Sequence, residues 1–233
     1  MSKTRSVQRN TPDGRRSSRR LTHERIVRTA IAIADRDGVD GVTMRGIGSE
    51  LGVEGMALYR HFANKDELLE SMVDRLVGEI TDSSTSGSWR AAIRARALSA
   101  RQVFGRRRWA QRLLATRVVL GPGTLRHIEA ITRVLRDAGF SYALAHNAMH
   151  VLGARIFGFT QEPFDDALTP EAVQRFVALI RAGEYPAMAG AIPHVRHDAD
   201  TEFEFGLDLL LDALERARRS AGPDPSGPPR RPR

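Results

Sequence analysis

Residues 41–65 read Gly41-Val-Thr-Met-Arg-Gly-Ile-Gly-Ser-Glu-Leu-Gly-Val-Glu-Gly-Met-Ala-Leu-Tyr-Arg-His-Phe-Ala-Asn-Lys65. Thr43 is placed to cap a short helix that runs to Leu51, where Gly52 stops it. A second short segment covers about Glu54 to Phe62. Neither is long enough to persist alone in water. Both become stable only by burying Val42, Ile47, Leu51, Val53, Leu58 and Phe62 against longer helices on either side. With Leu58 and Phe62 turned inward at i, i+4 spacing, Gly55, Met56, Ala57, Tyr59 and Arg60 turn outward. An exposed methionine and tyrosine on so short a helix make sense if that face meets a partner. Two short helices joined at a glycine in this way form a helix-turn-helix, whose second helix enters the DNA major groove.

The flanking sequence supplies the longer helices. Upstream, Thr22 reads as an N-cap, with Leu21 and Ile26 spaced as a hydrophobic staple. Ile26, Ala30, Ile33 and Ala34 form one face, and Gly38 ends the helix. Downstream, Asn64 caps a helix and Glu67 completes a capping box. That helix buries Leu68, Leu69, Met72, Val73, Leu76, Val77 and Ile80. A polar run at 81–88 then breaks the chain.

Beyond it, helices are predicted near 89–104 and 107–119, the latter ended by Gly121-Pro122-Gly123. Others follow from a Thr124 cap to Ala138, from Ser141 to about Thr160, and from Thr169-Pro170. The last opens at the box Thr201-x-x-Glu204 and runs to about Arg218. No stretch alternates as a strand does, so the fold class is all-α. The expected domains are a three-helix helix-turn-helix head at 21–82 and a larger helical bundle at 89–218.

Composition bounds the rest. Hydrophobic residues make up 41% and charged residues 27%, which suits a globular chain. No apolar run reaches the ~18 residues of a membrane span, and the basic start is unlike a signal peptide. Cysteine is absent, which excludes disulfides and thiolate metal sites and makes a cytoplasmic location the expectation. The net charge of +8 sits in the tails. Residues 1–20 carry seven basic side chains against one acid, and 219–233 carry four against one, around a nearly neutral body. Both tails read as disordered. The arm at 1–20 either neutralises phosphates or keeps the protein soluble; charge alone does not choose.

Over roughly residues 22–82 the chain resembles the TetR family of transcriptional repressors. The matching elements are Gly41-Val42-Thr43, Arg45, Leu51-Gly52-Val53, Leu58-Tyr59-x-His61-Phe62 and Asn64-Lys65-x-x-Leu68-Leu69. The resemblance implies Thr43, Arg45, Tyr59, His61 and Lys65 as phosphate or groove contacts, with Gly55, Met56 and Ala57 on the base-reading turn. Gly55 and Ala57 stand where the tetracycline repressor has polar residues. Neither can hydrogen-bond a base edge, so direct readout leans on Arg45 and Arg60, or on DNA shape. The operator does not carry over.

The segment Phe203–Glu215 resembles the last helix of the tetracycline-repressor type of C-terminal domain. The implied function is a repressor that binds a palindromic double-stranded DNA operator as a homodimer and is released by a small-molecule effector. Gly153 on the 141–160 helix and Phe203, Leu207, Leu210, Leu211 and Leu214 on the last helix are the expected dimer contacts, with Phe205 and Leu209 outside that face. Trp109, His146, Asn147, His150 and Arg155 are the candidate effector contacts. His146 and His150, at i, i+4, suit an effector pocket, a satisfied position in the interior or at an interface, or a metal. No carboxylate or third histidine lies nearby in sequence, so no metal or cofactor is expected.

Two rival classes are weighed. Gly46-x-Gly48-x-x-x-Gly52 superficially resembles a phosphate loop, but no strand precedes it and its spacing fits neither common fingerprint, so an enzyme is not expected. A DNA-coating protein would use the basic tails but has no need of ~130 further helical residues.

Overall fold

The computed structural model describes residues 20–81, 87–105, 107–117, 119–158, 169–183, 185–191 and 198–221. The expected arm up to residue 19, the break at 82–86 and the tail from 222 lie outside these. Every regular element among the described residues is helical. By internal packing the chain divides into two compact units, Met1–Met72 and Val73–Arg233.

In the first unit, α1 spans His23–Asp37 and α2 spans Met44–Leu51, while α3 (Lys65–Val77) begins there and gives its last turn to the second unit. Thr22 Oγ1 accepts from the Arg25 N–H at 3.2 Å and Thr43 Oγ1 from the Gly46 N–H at 3.0 Å. Each satisfies a first-turn donor that the helix itself cannot. Asn64 Oδ1 caps α3 through the Glu67 N–H at 2.8 Å, and Glu67 Oε2 accepts from the Ala63 N–H. Gly38 (φ +78°) and Gly52 (φ +69°) end α1 and α2 in the left-handed region, where a Cβ would be strained. Ile26, Ile47, Leu58, Phe62, Leu68 and Met72 close a core at 1% exposure or less. Each such side chain contributes roughly 1.5–3 kcal/mol of burial. The segment expected as a helix over Glu54–Phe62 is a six-residue 3-10 helix, Gly55–Arg60. A piece this short gains more from tight i→i+3 bonds, such as Ala57 N–H to the Glu54 carbonyl at 2.9 Å, than from a single α turn.

The second unit holds α4 (Trp89–Phe104), α5 (Arg108–Thr116), α6 (Pro122–Asp137), α7 (Tyr142–Gly158), α8 (Pro170–Arg181), α9 (Pro186–Ala191) and α10 (Ala199–Ser220). Helix α7 packs against α4, α5, α6 and α10, which explains its run of small residues; Ala145 and Ala148 are buried. Helices α4 and α10 are laced antiparallel by Arg90–Asp212 (2.7 Å), Arg94–Asp208 (3.2 Å) and Arg101–Asp200 (2.8 Å). Such exposed pairs set register more than they stabilise.

Two expected starts are corrected. Helix α6 begins at Pro122, with Gly121 before it, and Thr124 lies inside the helix instead of capping it. The cap comes from Asp74, whose carboxylate accepts from the Gly123 and Thr124 N–H groups at 2.9 and 2.8 Å. A Cβ on Gly123 would stand 2.2 Å from the Asp74 carbonyl oxygen, so the glycine read as a stop is a point of close approach. Helix α10 begins at Ala199, capped by Asp198; Thr201 bonds back to that cap and Glu204 pairs with Arg94. No described helix is long and apolar enough to cross a membrane.

Candidate nucleic-acid interface

The expected contact residues divide cleanly by burial. Thr43, Arg45, Met56, Tyr59, Arg60 and Lys65 are exposed, Met56 at 72% and Tyr59 at 46%, while Leu58 and Phe62 between them are sealed. Gly55, Ala57 and His61 are half-buried. The inward pair anchors the 3-10 helix and the outward residues pay no burial for facing solvent. The His23 ring stacks on Phe62 with centroids 4.4 Å apart, fixing the end of the segment against α1. Thr43 spends its hydroxyl oxygen on the α2 cap, yet its O–H remains a donor for a phosphate.

What aligns the two short helices is a residue the sequence reading treated only as part of a false phosphate loop. A Cβ on Gly48 would lie 2.7 Å from the Val53 carbonyl oxygen and 2.9 Å from the Gly55 nitrogen. One on Gly55 would lie 3.2 Å from the Arg45 backbone. Backbone meets backbone here, which brings Arg45 beside the start of the 3-10 helix. The available signal was a glycine kept inside a helix at a propensity cost of ~1 kcal/mol, which asks for a packing reason. Arg36 then joins Asp37 and Glu50, both at 2.8 Å, tying the end of α1 to the end of α2.

The candidate effector contacts fare differently. Trp109 is buried, and Arg155 is half-buried with its guanidinium on the Glu202 and Phe203 carbonyls. Burial lowers the Arg155 pKa, with nearby Arg101 adding to the effect. His146, Asn147 and His150 are exposed on α7 and so cannot line the interior of this unit, because that face of the helix carries no covering element among the described residues. The interior polar groups are others: Gln111, whose Nε2 donates to the Phe104 carbonyl at 2.8 Å, and His127. Thr124 Oγ1 is also buried and has no hydrogen-bond partner. His127 was legible as a histidine at i, i+4, i+8 with Ile131 and Leu135. The dimer contacts need a similar correction. Phe203, Leu207, Leu211 and Leu214 are between 0% and 8% exposed inside one chain, Leu210 and Gly153 are half-buried, and the outward residues are Phe205 (66%) and Leu209 (54%). Helix α10 turns its regular leucine face to its own core.

Burial, together with the Arg96 guanidinium 3.5 Å from Nδ1, pushes His127 down to about 4. Its contribution is therefore whole above the unfolded value near 6.5 and is lost as pH falls through 4, where the unfolded chain binds a proton that the folded one refuses. Stability should drop on that account by on the order of 2 kcal/mol across this window. Denaturant titrations between pH 7.5 and 4 check it: His127→Asn should flatten the slope by about one proton, and an unchanged slope would show that His127 does not stay neutral.

The sequence profile described as "Bacterial regulatory proteins, tetR family" matches residues 26–72, and "Tetracyclin repressor-like, C-terminal domain" matches 83–218, over half of the chain. The HTH-type transcriptional repressor DrrR1 of Streptomyces coeruleorubidus is 32% identical over 224 residues, covering 87% of this chain and 82% of that protein. The class A tetracycline repressor from transposon 1721 in Escherichia coli is 30% identical over 204 residues, covering 85% and 93%. Apo ActR from Streptomyces coelicolor matches in structure with a TM-score of 0.76 at 27% identity, over 87% of this chain and 98% of that one. ActR has also been solved with (S)-DNPA and with actinorhodin. Fold and sequence similarity together define an all-helical DNA-binding transcription regulator. The chain belongs to the TetR family of bacterial regulatory proteins.

Proposed function

We propose that the protein is a cytoplasmic repressor that binds a two-fold symmetric operator as a homodimer and is released by a small-molecule effector. The observation that carries the DNA reading is the outward row Arg45, Met56, Tyr59 and Arg60, held by the sealed Leu58 and Phe62. Arg45 and Arg60 are the side chains able to pair with guanine; Met56 and Ala57 suit a thymine methyl. Lys65 opens α3 as a phosphate ligand. A homodimer is supported by large apolar side chains left exposed on two helices that pack together, Phe205 and Leu209 on α10 and Val151, at 45%, on α7. Large apolar side chains grouped on an outer surface favour a partner. An effector is supported by ActR, which has been solved with two small molecules, and by the buried polar groups of Gln111, Thr124 and His127.

Arg45→Ala and Tyr59→Ala are each expected to weaken operator binding by about 1–3 kcal/mol while leaving the thermal transition in place. Lys65→Ala should weaken operator and scrambled DNA alike and reduce the salt dependence by about one counterion per site. Fluorescence titrations on both DNAs at several salt concentrations measure this. Full operator affinity in both the Arg45 and Tyr59 variants would move the recognition surface elsewhere.

A further inference from the structure

Two histidines stand one turn apart on the outer surface of α7 and bring their Nε2 atoms together. His146 and His150 are both exposed, with Nε2 atoms 3.2 Å apart and ring centroids 4.5 Å apart. They take no part in the core or in the DNA-facing row, and they stand apart from the buried polar groups proposed to meet an effector. At 100° per residue His146 lies about 140°, and His150 about 100°, around the helix from Val151. Tyr142, His146 and His150 follow one ridge of the helix at four-residue spacing, and the Tyr142 ring lies beneath the Arg136 guanidinium at 3.8 Å. From Tyr142 to Gly158 the only charged residue is Arg155. No carboxylate of this helix competes for the imidazoles.

A single shared proton satisfies one nitrogen as donor and the other as acceptor. A metal ion satisfies both as donors of a lone pair. Metal–imidazole bonds are about 2.0–2.1 Å long, and two of them spanning this separation meet at roughly 100°, between the octahedral and tetrahedral angles. We propose that His146 and His150 bind a borderline divalent transition cation, Zn2+ or Cu2+, through their Nε2 atoms. Imidazole selects such ions over Mg2+ and Ca2+, which prefer oxygen ligands. Among the described residues no cluster of three or more His, Asp or Glu could hold a metal, so water completes the coordination and the site is open. The proposal rests on this chain's own geometry and is independent of the operator and effector readings.

The full-length protein should be dialysed against Zn2+ and the bound metal measured by atomic absorption. Retained zinc is expected in the wild type, and both His146→Gln and His150→Gln should weaken its binding on the order of 100-fold, because either change turns a chelate into a single ligand. The Cu2+-loaded protein should show electron-spin-resonance splitting from two nitrogens, reduced to one in either variant. His23→Gln, an exposed histidine in the other unit, should leave binding unchanged. Both α7 substitutions are at exposed positions, and circular dichroism checks that the helices persist. Zinc affinity that survives in either α7 variant, an absence of retained zinc, or a loss caused by His23→Gln would each overturn the proposal.

Discussion

Gly48→Ala is expected to abolish selective operator binding and to lower the stability of the N-terminal unit by about 3 kcal/mol, at the upper end for an overpacked interior. The new Cβ would meet the Val53 carbonyl oxygen at 2.7 Å and the Gly55 nitrogen at 2.9 Å. Both are backbone atoms that no rotamer change can move aside. The 3-10 helix must shift away from α2, and with it Met56, Tyr59 and Arg60 lose their placement relative to Arg45. Gly46→Ala provides the contrast, since the nearest atom to its Cβ would be the Thr43 hydroxyl at 2.9 Å, which can turn at the cost of the α2 cap while the crossing of the two backbones stays in place. Operator titrations and thermal melts of both variants make the comparison. If Gly48→Ala binds the operator as the wild type does, the backbone crossing does not set the recognition geometry.

Phe205→Glu and Leu209→Glu are expected to leave the protomer folded and to dissociate the proposed dimer, whereas Leu207→Glu should unfold the C-terminal unit. The three positions lie on one helix, yet Phe205 and Leu209 are more than half exposed and Leu207 is fully buried. An unpaired carboxylate forced into a core or a closed interface costs several kcal/mol. The same charge therefore strikes the subunit contact in the first two cases and the chain's own interior in the third. Sedimentation at micromolar concentration reports assembly, and circular dichroism reports folding. An intact dimer from both exposed-site variants would place the subunit contact on another surface.

The all-helical class and most helix ends were legible because they depend on neighbours within a turn. Thr22, Thr43 and Asn64 cap as expected from the sequence, and Gly38 and Gly52 stop their helices at positive φ. The inward pair Leu58 and Phe62 and the outward Met56 and Tyr59 followed from spacing alone, since a helix of any kind must divide its faces between core and water.

Where the reading failed, the deciding partner was distant in sequence. Asp74 caps α6 from 49 residues away, so Thr124, the local candidate, is displaced into the helix. On α10 the regular leucine face was expected at the dimer contact, and on α7 the two histidines were candidate effector contacts. Periodicity tells which residues share a face, but not which element covers it. By itself the sequence determined the helical fold, the helix-turn-helix and its outward row, because these are set by short-range spacing and capping. Only the tertiary structure decided that Gly48 is a backbone crossing, that the leucine face of α10 is spent on the chain's own core, and that His127 is the buried histidine, because burial depends on contacts between segments far apart in the chain.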